Sequence, residues 1–329
     1  MKILVTGGSG MVGKCISEIV GFDINGNDKA QKRVYNYTFL SSKMCNLKDR
    51  DAVLKYFNEN KFDMIIHLAA EVGGLFKNMS GNIKMFSNNI KINENVLEAS
   101  YLSGIKRGIF CLSSCIYPAI PSKFPMDETM IHESPPHPSN EGYAYAKRML
   151  ELQCRQYNKD QNTEYICLIP VNLYGKHDNF NLMDSHFIPG IMHRWHLQKQ
   201  KNKLACDLHK EKYVLYGTGT PLRQFLYAPD FAKLILEVLH GDEYMGAGPM
   251  ICCNRETTIH AMALNVAHVM GIKHEDIVLD ERKSDGCMRK TVSNMKLQHY
   301  YPEFEFTEHL DGLKETYKWF CDNYDNVRK

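Results

Sequence analysis

A tyrosine and a lysine four residues apart are the first pair in this sequence suited to proton chemistry. Tyr143 and Lys147 stand within the string Gly-Tyr-Ala-Tyr-Ala-Lys, and of the 18 tyrosines only Tyr143 has a lysine at this spacing. On a helix, two such residues share one face, one turn apart. Because a nearby ammonium favours the phenolate, we expect Lys147 to lower the pKa of Tyr143 from ~10. The pair would then exchange a proton near neutral pH.

Two further reactive side chains, Ser113 and Cys115, stand thirty positions earlier in the string Leu-Ser-Ser-Cys-Ile-Tyr. An apolar run precedes them and predicts a buried strand over 108–113. Such a strand would deliver Ser113 to the carboxyl edge of a sheet, where ligands bind in α/β folds. A thiol has a reference pKa of ~8.5, so Cys115 is a second candidate for moving protons.

The N-terminus predicts a cofactor site. The apolar run 2–6 stops at the string Gly-Gly-Ser-Gly-Met-Val-Gly, and a helical pattern follows over 11–20. Strand, glycine-rich turn and helix is the arrangement that holds a dinucleotide pyrophosphate against backbone N–H groups at a helix N-terminus. The expected contacts are Gly7, Gly10, Met11, Val12 and Gly13.

The next strand end indicates which dinucleotide binds. A surface excursion is expected over 21–33, followed by a strand over 34–40 that ends in Ser41-Ser42-Lys43. An NAD-preferring site would place Asp or Glu there for the ribose 2′-hydroxyl. Hydroxyls and a lysine suit a 2′-phosphate instead, so we predict NADP(H). The further cofactor contacts expected are Ser42, Lys43, Leu68, Ala69 and Ala70.

Strand and helix patterns alternate through the first half of the chain. Helical stretches at 49–60, 82–103 and 143–158 separate apolar strands at 62–68, 108–113 and 165–170. This order predicts an α/β fold with a doubly wound parallel sheet of the Rossmann type. Beyond Pro170 a different pattern predicts a smaller C-terminal α/β lobe. We expect a dinucleotide-binding domain over 1–172, with 224–241 returning to it, and a substrate-binding lobe over 173–329.

Composition excludes several classes of partner. The 329 residues carry a formal net charge of +2 and are 24% charged, which gives no electrostatic case for nucleic acid or an anionic membrane. No apolar run reaches the ~20 residues of a membrane span. The 11 cysteines show no C-x-x-C pair or metal-ligand spacing. We expect reduced thiols, no metal and a cytoplasmic location.

These residues resemble the extended short-chain dehydrogenase/reductase family, whose Ser and Tyr-x-x-x-Lys catalytic set is matched by Ser113, Tyr143 and Lys147. Longer strings extend the likeness, especially to members that act on GDP-sugars, over nearly the whole chain, at 67–74, 113–118, 172–180, 185–189, 217–223 and 283–286. The resemblance implies NADPH-dependent epimerisation of GDP-4-keto-6-deoxy-D-mannose at C3 and C5 and reduction at C4. It also implies a homodimer built from the helices at 82–103 and 143–158.

The resemblance also implies roles for single residues. Cys115, as base, and His186 would form the epimerising pair. In the reduction Tyr143 would donate a proton, Ser113 would hold the oxygen and Lys147 would hold the ribose. Nucleotide contacts would come from Arg194, Tyr216, Arg223 and Asp285. The chain departs from the family pattern at Glu71, Lys176, Cys287 and Met288.

Two other functions remain open from the sequence. A nucleotide-sugar 4-epimerase or dehydratase that retains NAD would use the same Ser, Tyr and Lys set. A dehydratase would, however, place acidic residues near the catalytic serine, where this chain has Cys115. A non-catalytic NADP-binding regulator would keep the glycine turn without needing Tyr143 and Lys147. Release of NADP during turnover, or the lack of any turnover, separates the three.

Overall fold

The chain divides into two compact units in the computed structural model, which describes residues 1–21, 35–73, 81–205, 209–244 and 248–329. The first unit comprises Met1–Val171, Ala228–Cys252 and Val292–Phe304; the second comprises Asn172–Tyr227, Cys253–Thr291 and Glu305–Lys329. The segment 224–241, expected to return to the first region, is divided, because the return begins at Ala228. The predicted excursion at 21–33 lies outside the described residues from position 22 onwards.

Eleven strands are numbered here along the described chain: β1 Lys2–Thr6, β2 Asn36–Leu40, β3 Met64–His67, β4 Arg107–Cys111, β5 Glu164–Pro170, β6 Asn172–Tyr174, β7 Tyr213–Tyr216, β8 Leu222–Tyr227, β9 Met250–Cys252, β10 Glu256–Thr258 and β11 Ile277–Asp280. The first unit holds a six-stranded sheet in the order β2-β1-β3-β4-β5-β9. All five strand pairs in it are parallel. The predicted doubly wound parallel sheet is therefore confirmed.

The α-helices are numbered in the same way: α1 Met11–Val20, α2 Arg50–Asn60, α3 Asn82–Leu102, α4 Glu141–Gln161, α5 Phe187–Leu204, α6 Ala228–His240, α7 Ile259–Met270, α8 Met295–Tyr300 and α9 His309–Asp322. Their starts and stops follow local rules. The Asp49 carboxylate accepts from the backbone N–H of Ala52 at 3.1 Å and begins α2. Gly21, with φ +69°, ends α1 in the left-handed conformation.

The strands of the parallel sheet are apolar on both sides, as a sheet with two covered faces requires. Ile3, Leu4 and Val5 in β1 have no exposed surface, and Ile65 and Ile66 in β3 are equally buried. Strands buried on both sides are continuous apolar runs, because helices cover both faces of a parallel sheet. This unbroken core fixes the strand ends from which the ligand-binding residues project.

The second unit is smaller and mixed. β8 pairs antiparallel with β10 and parallel with β6, while β7 and β11 form a separate parallel pair. Its core is aromatic and includes Phe180, Trp195 and Phe320. The predicted smaller α/β lobe is confirmed. None of the helices described is long and apolar enough to span a bilayer.

Candidate active site

The turn after β1 is too tight for side chains. Gly7 has φ +69°, and a Cβ built on it would lie 2.8 Å from the backbone nitrogen of Ala69. The Gly10 N–H donates to the Gly7 carbonyl at 2.9 Å. At Gly13 a Cβ would come within 2.7 Å of the Gly7 carbonyl oxygen. The three glycines therefore bring the backbone close to the first turn of α1, whose N–H groups attract an anion.

The end of β2 fits the extra phosphate of NADP. Ser42 and Lys43 are both exposed, and the turn closes through the Met44 N–H, which donates to the Ser41 carbonyl at 3.0 Å. No carboxylate stands in this stretch to repel a 2′-phosphate. Together with the tight glycine turn, these residues fit an NADP dinucleotide.

Ser113 and Cys115 are presented by a short 3₁₀ helix, Ser114–Ile116, which packs against α4. β4 ends at Cys111, so the predicted strand 108–113 is two residues too long. The Ser113 hydroxyl oxygen accepts from the Cys115 N–H at 3.3 Å and caps this helix. One turn therefore fixes both reactive side chains.

Lys147 is the most deeply buried charged group of this region, with 1% of its surface exposed. Its ammonium donates to the Cys111 carbonyl at 2.6 Å and lies 5.9 Å from the centre of the Tyr143 ring. Burial lowers the pKa of Lys147, while the neighbouring Cys111 and Cys115 oppose this shift. The structure thus brings Tyr143 and Lys147 together on the first turns of α4, as the spacing predicts.

The expected effect of Lys147 on the Tyr143 phenol is wrong. The pKa of Tyr143 is raised well above its ordinary value, mainly by burial and further by Cys115 and Cys111. Part of the Tyr143 surface nonetheless remains exposed. The ammonium is turned towards a backbone carbonyl instead of the phenol, which explains why it does not dominate.

A buried hydrogen-bond chain, missed from the sequence, connects the cofactor turn to α4. Asn93 Nδ2 donates to the Ala146 carbonyl at 3.3 Å, which leaves its Oδ1 to accept from His67 Nε2 at 3.2 Å. The other ring nitrogen of His67 then accepts from the Thr6 hydroxyl at 2.7 Å. The Ala69 N–H donates to the same hydroxyl oxygen at 3.4 Å. The chain thus fixes the His67 tautomer.

Burial is the main reason that the pKa of His67 falls to about 3, and the charge of Lys147 adds to the fall. A neutral imidazole at this position suits the hydrogen-bond chain, in which one ring nitrogen donates and the other accepts. In the sequence, this hydrogen-bond chain is visible only as a histidine, His67, inside an apolar strand and an asparagine, Asn93, inside an apolar helix face. Both are far more often read as ordinary core polar residues.

In the second unit, Arg194 and Tyr216 form a stack. The guanidinium carbon lies 4.1 Å from the centre of the Tyr216 ring, whose residue is 47% exposed. The ammonium of Lys283, which was not among the predicted contacts, lies 5.7 Å from the same ring centre. Two cations beside one accessible aromatic ring make a surface suited to an anionic, planar ligand.

Asp285 binds the protein itself. One carboxylate oxygen accepts from the Thr218 N–H at 2.8 Å and the other from the Thr218 hydroxyl at 2.8 Å. Gly217 has φ +85°, and a Cβ there would collide with Asp285. Arg223 lies nearby: burial lowers its pKa, and Cys287 and Asp285 oppose that shift. Asp285 therefore shapes the loop 217–220.

His186 stands at the N-terminus of α5. The residue is exposed at its surface, yet neighbouring protein atoms exclude enough water to lower its pKa, and Asp184 opposes the change. The histidine therefore remains largely neutral at pH 7.

The departures from the family pattern are accommodated locally. Glu71 accepts from Asn88 Nδ2 at 2.6 Å, and Lys176 lies 3.6 Å from Glu315. The Met288 carbonyl accepts from the Leu222 N–H at 2.8 Å, and the Cys287 thiol donates to the Arg289 carbonyl at 3.1 Å.

Comparison with known sequences identifies a family for this chain, and that family agrees with the glycine turn, the parallel sheet and the Tyr143–Lys147 pair. The chain belongs to the NAD dependent epimerase/dehydratase family, whose sequence model matches residues 3–249. It is similar to the GDP-L-fucose synthase of Dictyostelium discoideum, with 42% identity covering 99% of this chain and 97% of that protein. The GDP-L-fucose synthase of Escherichia coli K12 is 31% identical, covering 99% and 98%.

A solved structure gives the same result. The GDP-L-fucose synthetase of Naegleria fowleri bound to NADP has a TM-score of 0.88 to this chain and 36% identity, covering 100% of this chain and 95% of that one. The likeness therefore includes both units.

Proposed function

We propose that this protein is a GDP-L-fucose synthase, which converts GDP-4-keto-6-deoxy-D-mannose to GDP-L-fucose by 3,5-epimerisation and NADPH-dependent 4-reduction. The observation that carries the proposal is full-length similarity, at 31–42% identity, to proteins of that name. The chain also retains the chemistry that each step requires: Ser113, Cys115, Tyr143 and Lys147 in the first unit, and His186 in the second.

Epimerisation requires a base and an acid, because the 4-keto group acidifies the C3 and C5 protons through an enolate. Cys115 takes the base role in this proposal and His186 returns a proton to the opposite face of the sugar. A second thiol near Lys147 competes less well: burial raises the pKa of Cys111 to about 11, so it stays protonated. The lowered pKa of His186 leaves its imidazole mostly neutral at pH 7, so it donates a proton from the minor imidazolium form, which is the stronger acid.

Reduction requires a proton for the oxygen on C4. Bound NADPH supplies the hydride. Tyr143 donates the proton, and its raised pKa keeps the phenol protonated until it is needed. Ser113 donates a hydrogen bond to the developing alkoxide. Lys147 holds the ribose of the cofactor in this proposal.

The second unit binds the nucleotide in this proposal. Arg194 and Arg223 neutralise the diphosphate, and Tyr216 offers its exposed ring. Asp285 acts indirectly, through the loop 217–220 that it holds.

We further propose a homodimer through α3 and α4, which pack against each other within the first unit. Ile83 on α3 is 85% exposed and Phe86 is 39% exposed, so α3 carries two apolar side chains that the described part of its own chain leaves open. A two-fold contact would cover these side chains. Ile83→Glu should yield a monomer in light scattering. Ile120→Glu, at an equally exposed isoleucine outside both helices, is the matched control.

We also propose that the protein is located in the cytoplasm. The ten described cysteines are present as thiols without a disulfide between them, which suits a reducing compartment. Recovery of the protein from the lumen of an oxidising organelle would contradict it.

The function is tested by supplying GDP-4-keto-6-deoxy-D-mannose with NADPH and following both nicotinamide oxidation and product stereochemistry. We expect GDP-L-fucose and released NADP, with a higher kcat/KM for NADPH than for NADH because Ser42 and Lys43 replace an acidic strand end. An enzyme that retains NAD would show no net oxidation. A non-catalytic regulator would bind NADP without any turnover.

A further inference from the structure

Arg148, the residue after Lys147, has no role in the reaction described so far and is nonetheless buried, with 4% of its surface exposed. A charged side chain is seldom buried without partners. Its Nε donates to the Ile116 carbonyl at 2.7 Å and its Nη2 to the Ser134 carbonyl at 2.8 Å. The guanidinium carbon lies 5.5 Å from the centre of the Tyr145 ring.

The two carbonyls that Arg148 binds lie at the two ends of one loop. Ile116 is the last residue of the 3₁₀ helix that carries Cys115 and begins the loop. Ser134 lies at the other end of the same loop. The loop ends also meet each other, since the Ala119 N–H donates to the Pro135 carbonyl at 3.0 Å. A planar guanidinium donates to two acceptors in a fixed geometry, which an ammonium does not reproduce. Arg148 therefore ties the Cys115 turn directly to α4, the helix of Tyr143.

The positive charge of Arg148 also lies close to the turn that carries this thiol, since the guanidinium binds the carbonyl of Ile116, the residue after Cys115. Its described hydrogen-bond acceptors are neutral carbonyls, so no carboxylate in these bonds cancels the positive charge. Burial lowers the pKa of Arg148, whereas a negative charge on Tyr145 and, to a smaller extent, on Cys115 would raise it. By reciprocity, the guanidinium favours the Cys115 thiolate, which is the form that abstracts a proton. The Lys147 ammonium acts on Cys115 in the same direction, and the Tyr143 phenol also faces the thiol.

We propose that Arg148 is a positioning residue for epimerisation, which fixes the turn bearing Cys115 and Ser113 on α4 and keeps a positive charge beside the Cys115 thiol. The inference rests on the proposed function only through the role of Cys115 as base. It predicts that loss of Arg148 weakens proton abstraction from the sugar more than it weakens cofactor binding.

The test uses Arg148→Gln and Arg148→Lys, with Arg155→Gln as the control. Arg155 stands on the same helix, has a side chain that is 54% exposed and donates to Glu151. The first measurement is the pH dependence of Cys115 alkylation by iodoacetamide, read by mass spectrometry without substrate. The second is the rate of solvent deuterium entry at C3 and C5 of the keto-sugar. NADP affinity and circular dichroism report whether each variant keeps its fold.

We expect Arg148→Gln to shift the alkylation profile to higher pH and to slow exchange by ~10–100-fold, the scale of a misplaced catalytic group. Arg148→Lys should restore the alkylation profile but not the full exchange rate, because one ammonium does not hold both carbonyls. Arg155→Gln should match the wild type in both measurements, and all folded variants should bind NADP normally.

An alkylation profile in Arg148→Gln equal to that of the wild type overturns the charge effect, and exchange at the wild-type rate overturns the positioning role. If Arg148→Gln does not fold, Arg148→Lys decides: wild-type exchange in that variant contradicts the inference, and slower exchange supports it. The alkylation measurement needs no substrate. Failure of the wild-type protein to convert the keto-sugar would therefore contradict the proposed function, while the alkylation profiles would still test the charge effect of Arg148.

Discussion

The two compact units hold their charged groups in opposite ways. In the first unit Lys147 is 1% exposed and its ammonium is bonded to a backbone carbonyl. In the second, Arg194 lies against a tyrosine ring that is 47% exposed. A group fixed in a dry environment is already oriented for reaction, whereas a half-exposed stack gains its partners on binding. Of these two groups, Lys147 should therefore control kcat and Arg194 should control KM.

The largest effect is expected from Lys147→Met. Removing the buried ammonium should lower kcat for NADPH oxidation by ~10²-fold or more, because the group that holds the cofactor ribose in this proposal is lost and the hydride donor is misplaced. Stability should not fall in parallel, since methionine fills the space without the desolvation cost that lowers the Lys147 pKa. Steady-state kinetics and thermal unfolding measure the two quantities. A variant with near wild-type kcat would contradict the assignment of Lys147.

A smaller effect, on binding, is expected from Arg194→Ala. Loss of one charge-assisted contact to a diphosphate typically costs ~1.5–3 kcal/mol, so KM for the GDP-sugar should rise by ~10–100-fold with little change in kcat. Tyr216→Phe keeps the ring against the guanidinium and should be nearly neutral. If Arg194→Ala lowers kcat and leaves KM unchanged, the division of labour between the units is wrong.

Asp285→Asn should raise KM by less than Arg194→Ala does. Asparagine has only one oxygen for the two hydrogen bonds that Thr218 now donates, so the loop 217–220 should loosen. Thr218→Val removes one of the same bonds from the other side. Because the two residues act through one contact, their effects on KM should not add in the double variant. Additive effects would indicate that Asp285 contacts the nucleotide directly.

Buried titratable groups should also make the stability of the two units depend on pH in different ways. The pKa of His67 falls to about 3, so its contribution to stability is present above ~6.5 and is lost as the pH falls towards 3. Burial raises the pKa of Asp178 in the second unit to about 7. Its contribution is present below ~4 and is lost as the pH rises through 7. The first unit should thus lose stability in acid and the second on passing from pH 5 to 8.

The chain offers a direct probe of this difference, because its two tryptophans, Trp195 and Trp319, both lie in the second unit. Urea unfolding followed by tryptophan fluorescence should show a lower midpoint at pH 8 than at pH 5. Asp178→Asn should reduce that difference, with each pKa unit worth about 1.4 kcal/mol. A midpoint in Asp178→Asn that falls with pH as steeply as in the wild type would contradict the role of Asp178.

The fold could be predicted where the local pattern of apolar residues in the sequence matches the residues that are buried in the core. The apolar run of β1, the glycine turn and the Tyr143 helix each follow from residues close in sequence. β9 was not found, because three residues, Met250–Cys252, give too short a pattern to distinguish a strand from a loop. The return of Val292–Phe304 to the first unit has no local signal either.

The candidate site residues could be named from the sequence, but their contacts and electrostatics could not. Spacing placed Tyr143 and Lys147 on one helix face, yet it did not indicate that the Cys111 carbonyl would take the Lys147 ammonium. Asp285 was recognised without its partner, because Thr218 lies 67 positions away along the chain. Which atom a charged group contacts depends on the tertiary structure, and that contact decides the direction of a pKa shift.

The most direct test separates the two half-reactions by comparing Cys115→Ser with Tyr143→Phe. A serine hydroxyl is too weak a base to replace the thiol, so Cys115→Ser should stop solvent deuterium from entering C3 and C5 of the keto-sugar. Tyr143→Phe keeps Cys115 and His186, so exchange should persist while NADPH oxidation falls ~10²–10⁴-fold. Both variants should still bind NADP through the unchanged glycine turn. Deuterium entry at the wild-type rate in Cys115→Ser would contradict the account and leave Cys115 as a packed thiol.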